Sequence, residues 1–162
     1  MSLFLSAKAW QIFLAILIAM LLPLLIGYFI NMELNHYSRA LWVSVFFIWL
    51  YSVGISSNSM LPDESKTNPV VFQVLIFSAL ISNAIESFIW LPVSPALAHF
   101  LTSVYVIGFF YGIWFTSKRF VMFDSGGDVK FKDYRGAFLC FWVWPMGVWS
   151  IQPKVNDAFN KA

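Results

Sequence analysis

Pro69-Val-Val-Phe-Gln-Val-Leu-Ile-Phe-Ser-Ala-Leu-Ile-Ser-Asn-Ala-Ile-Glu-Ser-Phe-Ile-Trp-Leu91 is apolar for long enough to cross a bilayer, yet it carries Gln73, Asn83 and Glu86. Some twenty apolar residues rising about 1.5 Å each match a hydrocarbon core of about 30 Å. An ionised carboxylate at the centre of such a run costs roughly 2.5–3.5 kcal/mol on insertion scales, so Glu86 marks a packing or functional position. Ser78, Ser82 and Glu86 recur at every fourth residue with Asn83 beside them, and a stripe of that kind must face protein or water rather than lipid. The rest of the chain reads as what surrounds this helix.

Composition points the same way. The 162 residues are 60% hydrophobic and 11% charged, whereas a soluble domain carries about 25% charged side chains. The expected fold is all-α: an integral membrane bundle of four transmembrane helices, closed by a short Pro-broken helix that is membrane-embedded or interfacial. A net charge of +2, with the basic residues set beside apolar runs, argues against a nucleic-acid surface. Cys140 is the single cysteine, so no intramolecular disulfide and no cysteine-based metal site is available, and it reads as a small buried hydrophobe. No metal or cofactor is expected.

Working outward, the first span is expected over residues 10–30 and the second over 40–57, with the quoted run (69–91) third and 96–116 fourth. Ala15, Ala19, Pro23 and Gly27 recur every four residues in the first span and suggest a small-residue packing face. The apolar run 10–30 is too long for a signal h-region and lacks a clear cleavage site, so it reads as a true span. Residues 31–39 form a short polar connection containing His36. Residues 58–68 are a turn cluster ended by Pro69, and Pro92-Val-Ser-Pro95 closes a tight hairpin. That hairpin brings Glu86 and His99 to similar depths on adjacent helices, making a contact between them geometrically reasonable. Gly108-Phe-Phe-Tyr-Gly112 is a Gly-x-x-x-Gly pattern, which favours close helix packing.

Residues 117–135 form the longest polar segment and hold Lys118, Arg119, Lys130, Lys132 and Arg135. Ser125-Gly-Gly-Asp128 suggests a small hairpin or a surface excursion there. The last apolar run, 136–151, is marginal for a crossing, with Pro145 in its middle and Trp142, Trp144 and Trp149 suited to headgroup depth. Gln152-Pro153 is expected to end this helix and leave Lys154 near its C-terminus. With the N-terminus cytoplasmic, Lys8, Lys66 and the basic residues of 117–135 all face inward against Arg39 outside, which sets the expected orientation. The last run is expected not to cross, leaving both ends cytoplasmic.

Tyr51-Ser-Val-Gly54, Leu61-Pro62, Lys66-x-Asn68, Asp133-Tyr134 and Phe141-Trp-Val-Trp-Pro-Met-Gly-Val-Trp-Ser-Ile-Gln-Pro-Lys-Val-Asn156 together resemble an uncharacterised family of small bacterial multi-pass membrane proteins, over roughly residues 45–160. The resemblance implies a bacterial inner-membrane setting and no particular chemistry.

No phosphate-binding glycine loop, His-Glu-x-x-His or Gly-x-Ser-x-Gly motif occurs. The favoured function is a non-enzymatic membrane component that forms oligomers or binds a cytoplasmic or membrane partner, with lipid as its constant neighbour. Two alternatives remain open: a small pore or transporter with a polar path around Glu86, and an intramembrane or lipid-modifying enzyme using Glu86 and His99.

Overall fold

A computed structural model describes residues 6–29, 35–88 and 94–160. All regular structure among the described residues is helical: α1 (Ala9–Phe29), α2 (Asn35–Met60), a one-turn 3-10 helix (Asp63–Ser65), α3 (Val70–Phe88), α4 (Pro95–Ser125), α5 (Phe131–Trp142) and α6 (Trp144–Asn160). The first four α-helices are long and apolar enough to cross a membrane. Their ends follow local chemistry. Asn68 Oδ1 accepts the Val70 N–H at 3.0 Å to open α3, and Ser94 Oγ accepts the Leu97 N–H at 3.3 Å to open α4, with Pro95 at a position where no donor is needed. Gly126, in the left-handed region at φ 71°, stops α4 by returning its N–H to the Met122 carbonyl at 3.0 Å.

The central helix is α2, not α3. Of the spanning stretch of α2, 61% is buried, against 33% for α3, 22% for α4 and 11% for α1. Phe46, Phe47, Trp49, Leu50 and Val53 of α2 are fully enclosed. The polar residues of α3 had suggested the reverse, but in lipid a long apolar helix can sit at the centre as readily as a polar one, and size of side chain decides which helix fills the core.

Three glycines let the central helices approach. A Cβ on Gly54 would stand 2.6 Å from Thr116 Oγ1, one on Gly108 2.6 Å from the Leu75 carbonyl oxygen, and one on Gly112 2.7 Å from Ile76 Cδ1. The Gly-x-x-x-Gly pattern is therefore used within the chain, joining α4 to α3 and α2. Phe72 and Phe115 stack one step further along, with ring centroids 4.3 Å apart. On α1 the buried residues are Ile12, Ile16 and Pro23, while Ala15 is exposed and Ala19 half-buried. A four-residue repeat drifts by roughly 40° per step around a helix of 3.6 residues per turn, so the expected small-residue face does not stay on one side. The surroundings of Gly27 lie outside the described residues.

The segment after the fourth span departs most from expectation. Helix α4 does not stop near Thr116 but runs to Ser125, burying Ser117, Arg119, Phe120 and Met122, and the Ser125-Gly-Gly-Asp128 stretch is its cap rather than a β-hairpin. Phe115 and Met122, seven residues apart on one face, and the buried Phe120 carry the helix through the two basic residues, whose stems are apolar. Helix α5 starts at Phe131, within the expected polar loop, and runs back along α4 from the Trp114–Tyr134 hydrogen bond at 3.0 Å to the Phe110–Trp142 ring contact at 5.9 Å. Phe141 reaches Trp49 at 5.2 Å.

The chain then turns at Val143, not at Pro145, which sits in the first turn of α6 where its missing N–H costs nothing. Gly147 is required at this turn, because a Cβ would collide with the Cys140 carbonyl. Helix α6 returns past Phe13 (Trp149, 5.7 Å) to Phe123 (Phe159, 5.0 Å). Gln152-Pro153 does not end it, and Lys154 lies mid-helix.

Helices α5 and α6 therefore form a re-entrant hairpin, one that folds back against α4 between Tyr134 and Trp142. At 12 and 17 residues, neither is among the helices long and apolar enough to cross a membrane. His36 falls in the first turn of α2 rather than in a loop. The connection 30–34 and most of the Pro92-Val-Ser-Pro95 turn lie outside the described residues.

Substituting Gly108→Val is expected to destabilise the bundle by about 1–3 kcal/mol through forced separation of α3 and α4. Gly136→Ala, where a Cβ meets nothing within 4 Å, is expected to be neutral or to stabilise by up to about 1 kcal/mol. Thermal unfolding of both variants in one detergent checks the contrast.

Candidate functional site

The polar stripe of α3 faces protein. Val70, Val71, Val74, Phe77 and Ile81 form its exposed side, while Ser82 and Asn83 are buried and Ser78 and Glu86 half-buried. Gln73 donates to the Tyr51 hydroxyl at 3.2 Å and so ties α3 to α2. Glu86 accepts a hydrogen bond from Thr102 at 3.0 Å. Its partner on α4 is therefore Thr102, one turn beyond His99, which is exposed. The expected Glu86–His99 contact does not form, because the α3–α4 register is set by Gly108 and Gly112 and leaves His99 nearer the helix end. Asn83 is 1% exposed, and neither atom of its amide has a hydrogen-bond partner.

At the opposite end of the bundle, polar contacts are dense. Arg119, 6% exposed, donates from one terminal nitrogen to the Ser65 carbonyl at 2.9 Å and from the other to the Thr67 hydroxyl. Its guanidinium also lies 5.6 Å from the Phe115 ring centroid. Asn58 holds the same connection from α2, donating to the Thr67 carbonyl at 2.9 Å and accepting the Thr67 N–H at 3.2 Å. Arg119 is thus a clamp on the α2–α3 connection, not a free surface charge. Lys118 beside it lies over the Trp114 ring at 5.7 Å. Nearby, Lys66 donates to Asp63 at 2.7 Å and holds that fully solvated carboxyl below its usual range. The small contribution of this pair is present above the ordinary carboxylate pKa and is lost as the pH falls through the lowered one.

A third cluster secures the hairpin. Gln152, fully buried, accepts the Trp49 indole N–H at 2.8 Å and donates to the Ala7 carbonyl at 2.9 Å and to Asn156 Oδ1 at 2.9 Å. Asn156 donates to the same Ala7 carbonyl at 3.2 Å. One amide therefore joins α6, the middle of α2 and the approach to α1. The closing Gln-Pro-Lys-x-Asn sequence, read as a helix stop, is a lock across the bundle. Asn58 was readable only as the start of a turn cluster and Asn156 only as the end of the closing motif, and Arg119 looked like one of several surface bases; its distinguishing signal is Phe115 and Met122 at helical spacing around it.

Charge is segregated between the two ends. The antiparallel helices bring Lys8, Asp63, Glu64, Lys66, Lys118, Arg119 and the charged residues of α5 and α6 to one end, leaving Arg39, Glu86 and His99 towards the other. On α5, Lys132 and Arg135 are exposed beside Phe131, Leu139 and Trp142, and on α6 Trp149 and Lys154 are exposed. Lys130 opens α5, its N–H bonding Asp133 Oδ2 at 2.8 Å. The side chain of Trp144 lies outside the described residues. Between α4, α5 and α6 a slot of about 430 Å³ opens at this end, with Asp124, Asp133 and Lys154 around it and Phe120, Ala137 and Ile151 among its walls. Among the described residues no three His, Cys, Asp or Glu side chains gather as a metal site.

The chain matches no family model, no curated protein and no solved structure.

Gln152→Leu leaves the Trp49 indole N–H without its buried partner and is expected to lower stability by about 1–3 kcal/mol. It is also expected to expose the α5–α6 segment to protease while α1–α4 stay resistant, which limited proteolysis in detergent micelles would show.

Proposed function

We propose that this protein is a non-enzymatic membrane component that binds a partner protein at its charged end. We further propose a bacterial inner membrane as its setting, with the charged end and N-terminus cytoplasmic. The observation that carries the reading is the surface of the re-entrant hairpin. Its outer side presents Lys132 and Arg135 next to Phe131, a mixture of charge and exposed aromatic surface of the kind that partner-binding faces carry. The orientation rests on the positive-inside tendency, since Lys8, Lys66, Lys118, Lys130 and Lys132 all belong to this end. The bacterial setting rests on the sequence resemblance. A partner with an acidic surface suits such a face.

Charge reversal at Lys130 and Lys132 together is expected to release a protein that co-purifies with the wild type from native membranes at native expression level. Both are solvated positions, so helical content should not change. Purification of the wild type alone, without any companion, would remove the reading.

A pore has one observation in its favour: the buried amide of Asn83 on α3 finds no partner among the described residues. A water-filled path would supply one. Under that reading Asn83→Leu and Glu86→Gln both lower ion flux across reconstituted vesicles. Under the docking reading flux is absent in all forms, and Asn83→Leu raises thermal stability by removing an unsatisfied group that costs about 1–3 kcal/mol.

A further inference from the structure

The slot between α4, α5 and α6 has chemistry that neither the clamp nor the lock uses. Its mouth is formed by Asp124 near the end of α4, Asp133 in the first turn of α5 and Lys154 in the outer half of α6. Asp124 and Lys154 make no hydrogen bond or ion pair with any described residue, so opposite charges flank the opening without neutralising each other. Asp133 gives one oxygen, Oδ2, to the Lys130 N–H; a carboxylate has further acceptor positions on its second oxygen.

Going inward, the lining changes. Phe120, Val121, Ala137 and Ile151 supply apolar walls, and Ser150 and Cys140 line it as well. Cys140 lies seven residues, about 10 Å, along α5 from Asp133, so the slot is long enough to take a charged head at one end and apolar chain at the other. Gly136 lines it and leaves it wide. At about 430 Å³ it is of the size that holds a small ligand or a headgroup.

We propose that this slot binds an aminophospholipid headgroup, the zwitterion in which a primary ammonium is joined to a phosphodiester. The ammonium sits between Asp124 and Asp133, and the phosphate takes Lys154 and the Ser150 hydroxyl. Charge-assisted hydrogen bonds of this kind are stronger than neutral ones, and a primary ammonium offers three donors where a quaternary one offers none. The depth of the slot and its apolar inner walls favour a lipid over the free headgroup, whose small polar body would leave those walls wet. This site is independent of the partner proposed for the outer side of the hairpin, because Lys130 and Lys132 do not line it.

The test is native mass spectrometry of the intact detergent-purified protein, titrated in turn with phosphatidylethanolamine, phosphatidylcholine and phosphatidylglycerol of identical chains, and with soluble phosphoethanolamine. The wild type is expected to hold phosphatidylethanolamine about tenfold more tightly than either other lipid, as two extra charge-assisted contacts would give, and to ignore the soluble headgroup. Asp124→Asn is expected to erase the preference over phosphatidylcholine while keeping residual lipid binding. Lys154→Met is expected to weaken both zwitterionic lipids alike. Equal retention of the three lipids by the wild type overturns the proposal, as does an unchanged preference in Asp124→Asn. Binding of the soluble headgroup as tightly as the lipid overturns the lipid assignment. Asp124 and Lys154 are exposed, and circular dichroism with a thermal midpoint confirms that each variant is folded before it is scored.

Discussion

A hydrogen-bonding group taken into hydrocarbon must find its partner inside the protein, and the fold depends on how Gln152 meets that demand. Its amide is enclosed where α6 passes α2 and the approach to α1, and each side of it is used: the oxygen for the Trp49 indole, the nitrogen for Ala7 and Asn156. Without it the re-entrant hairpin would keep, among the described residues, only the Trp114–Tyr134 and Asn156–Ala7 hydrogen bonds beside its ring contacts and apolar surface. Lipid tails supply apolar surface equally well, so such contacts do not choose protein over lipid as a polar contact does. The same logic explains Arg119 and Asn58, which together satisfy the backbone of the α2–α3 connection. It also makes Asn83 conspicuous, since no such partner exists for it among the described residues.

The four spans were legible in the sequence because hydrophobic run length is a one-dimensional property and bilayer thickness is a fixed ruler. Membership of the core was not. Glu86 and Asn83 drew attention to α3, whereas the structure is built around the large apolar side chains of α2, and nothing in a run of Phe, Trp and Leu tells whether lipid or protein will cover it. Gly108 and Gly112 were readable as close-approach positions, but whether the approaching helix belonged to the same chain or to another copy depends on register, which the spacing alone does not hold.

The candidate site was legible in pieces. The basic residues between 117 and 135 were recognisable as a group, yet they separate in space: Arg119 is buried as a clamp, Lys118 covers a tryptophan, and Lys132 and Arg135 remain on the surface. Lys and Arg have apolar stems, so a helix can continue through them when its flanking periodicity is strong, and the polar run hid nine further residues of α4. Pro145 and Pro153 misled in opposite ways. The first starts a helix instead of interrupting one, and the second is carried inside α6, where tertiary contacts on either side outweigh the lost hydrogen bond.

The lock has a consequence for assembly. Ala7 and Gln152 stand 145 residues apart, so the contact that holds the hairpin joins the part of the chain made early to a part made late. Contacts of such long sequence separation slow folding, because loop-closure entropy is lost before they form. The lock is therefore the costly step of the fold, while the turn between α5 and α6, which carries Trp142 and Val143 and no charge, brings no lysine, arginine or carboxylate with it when the hairpin is seated.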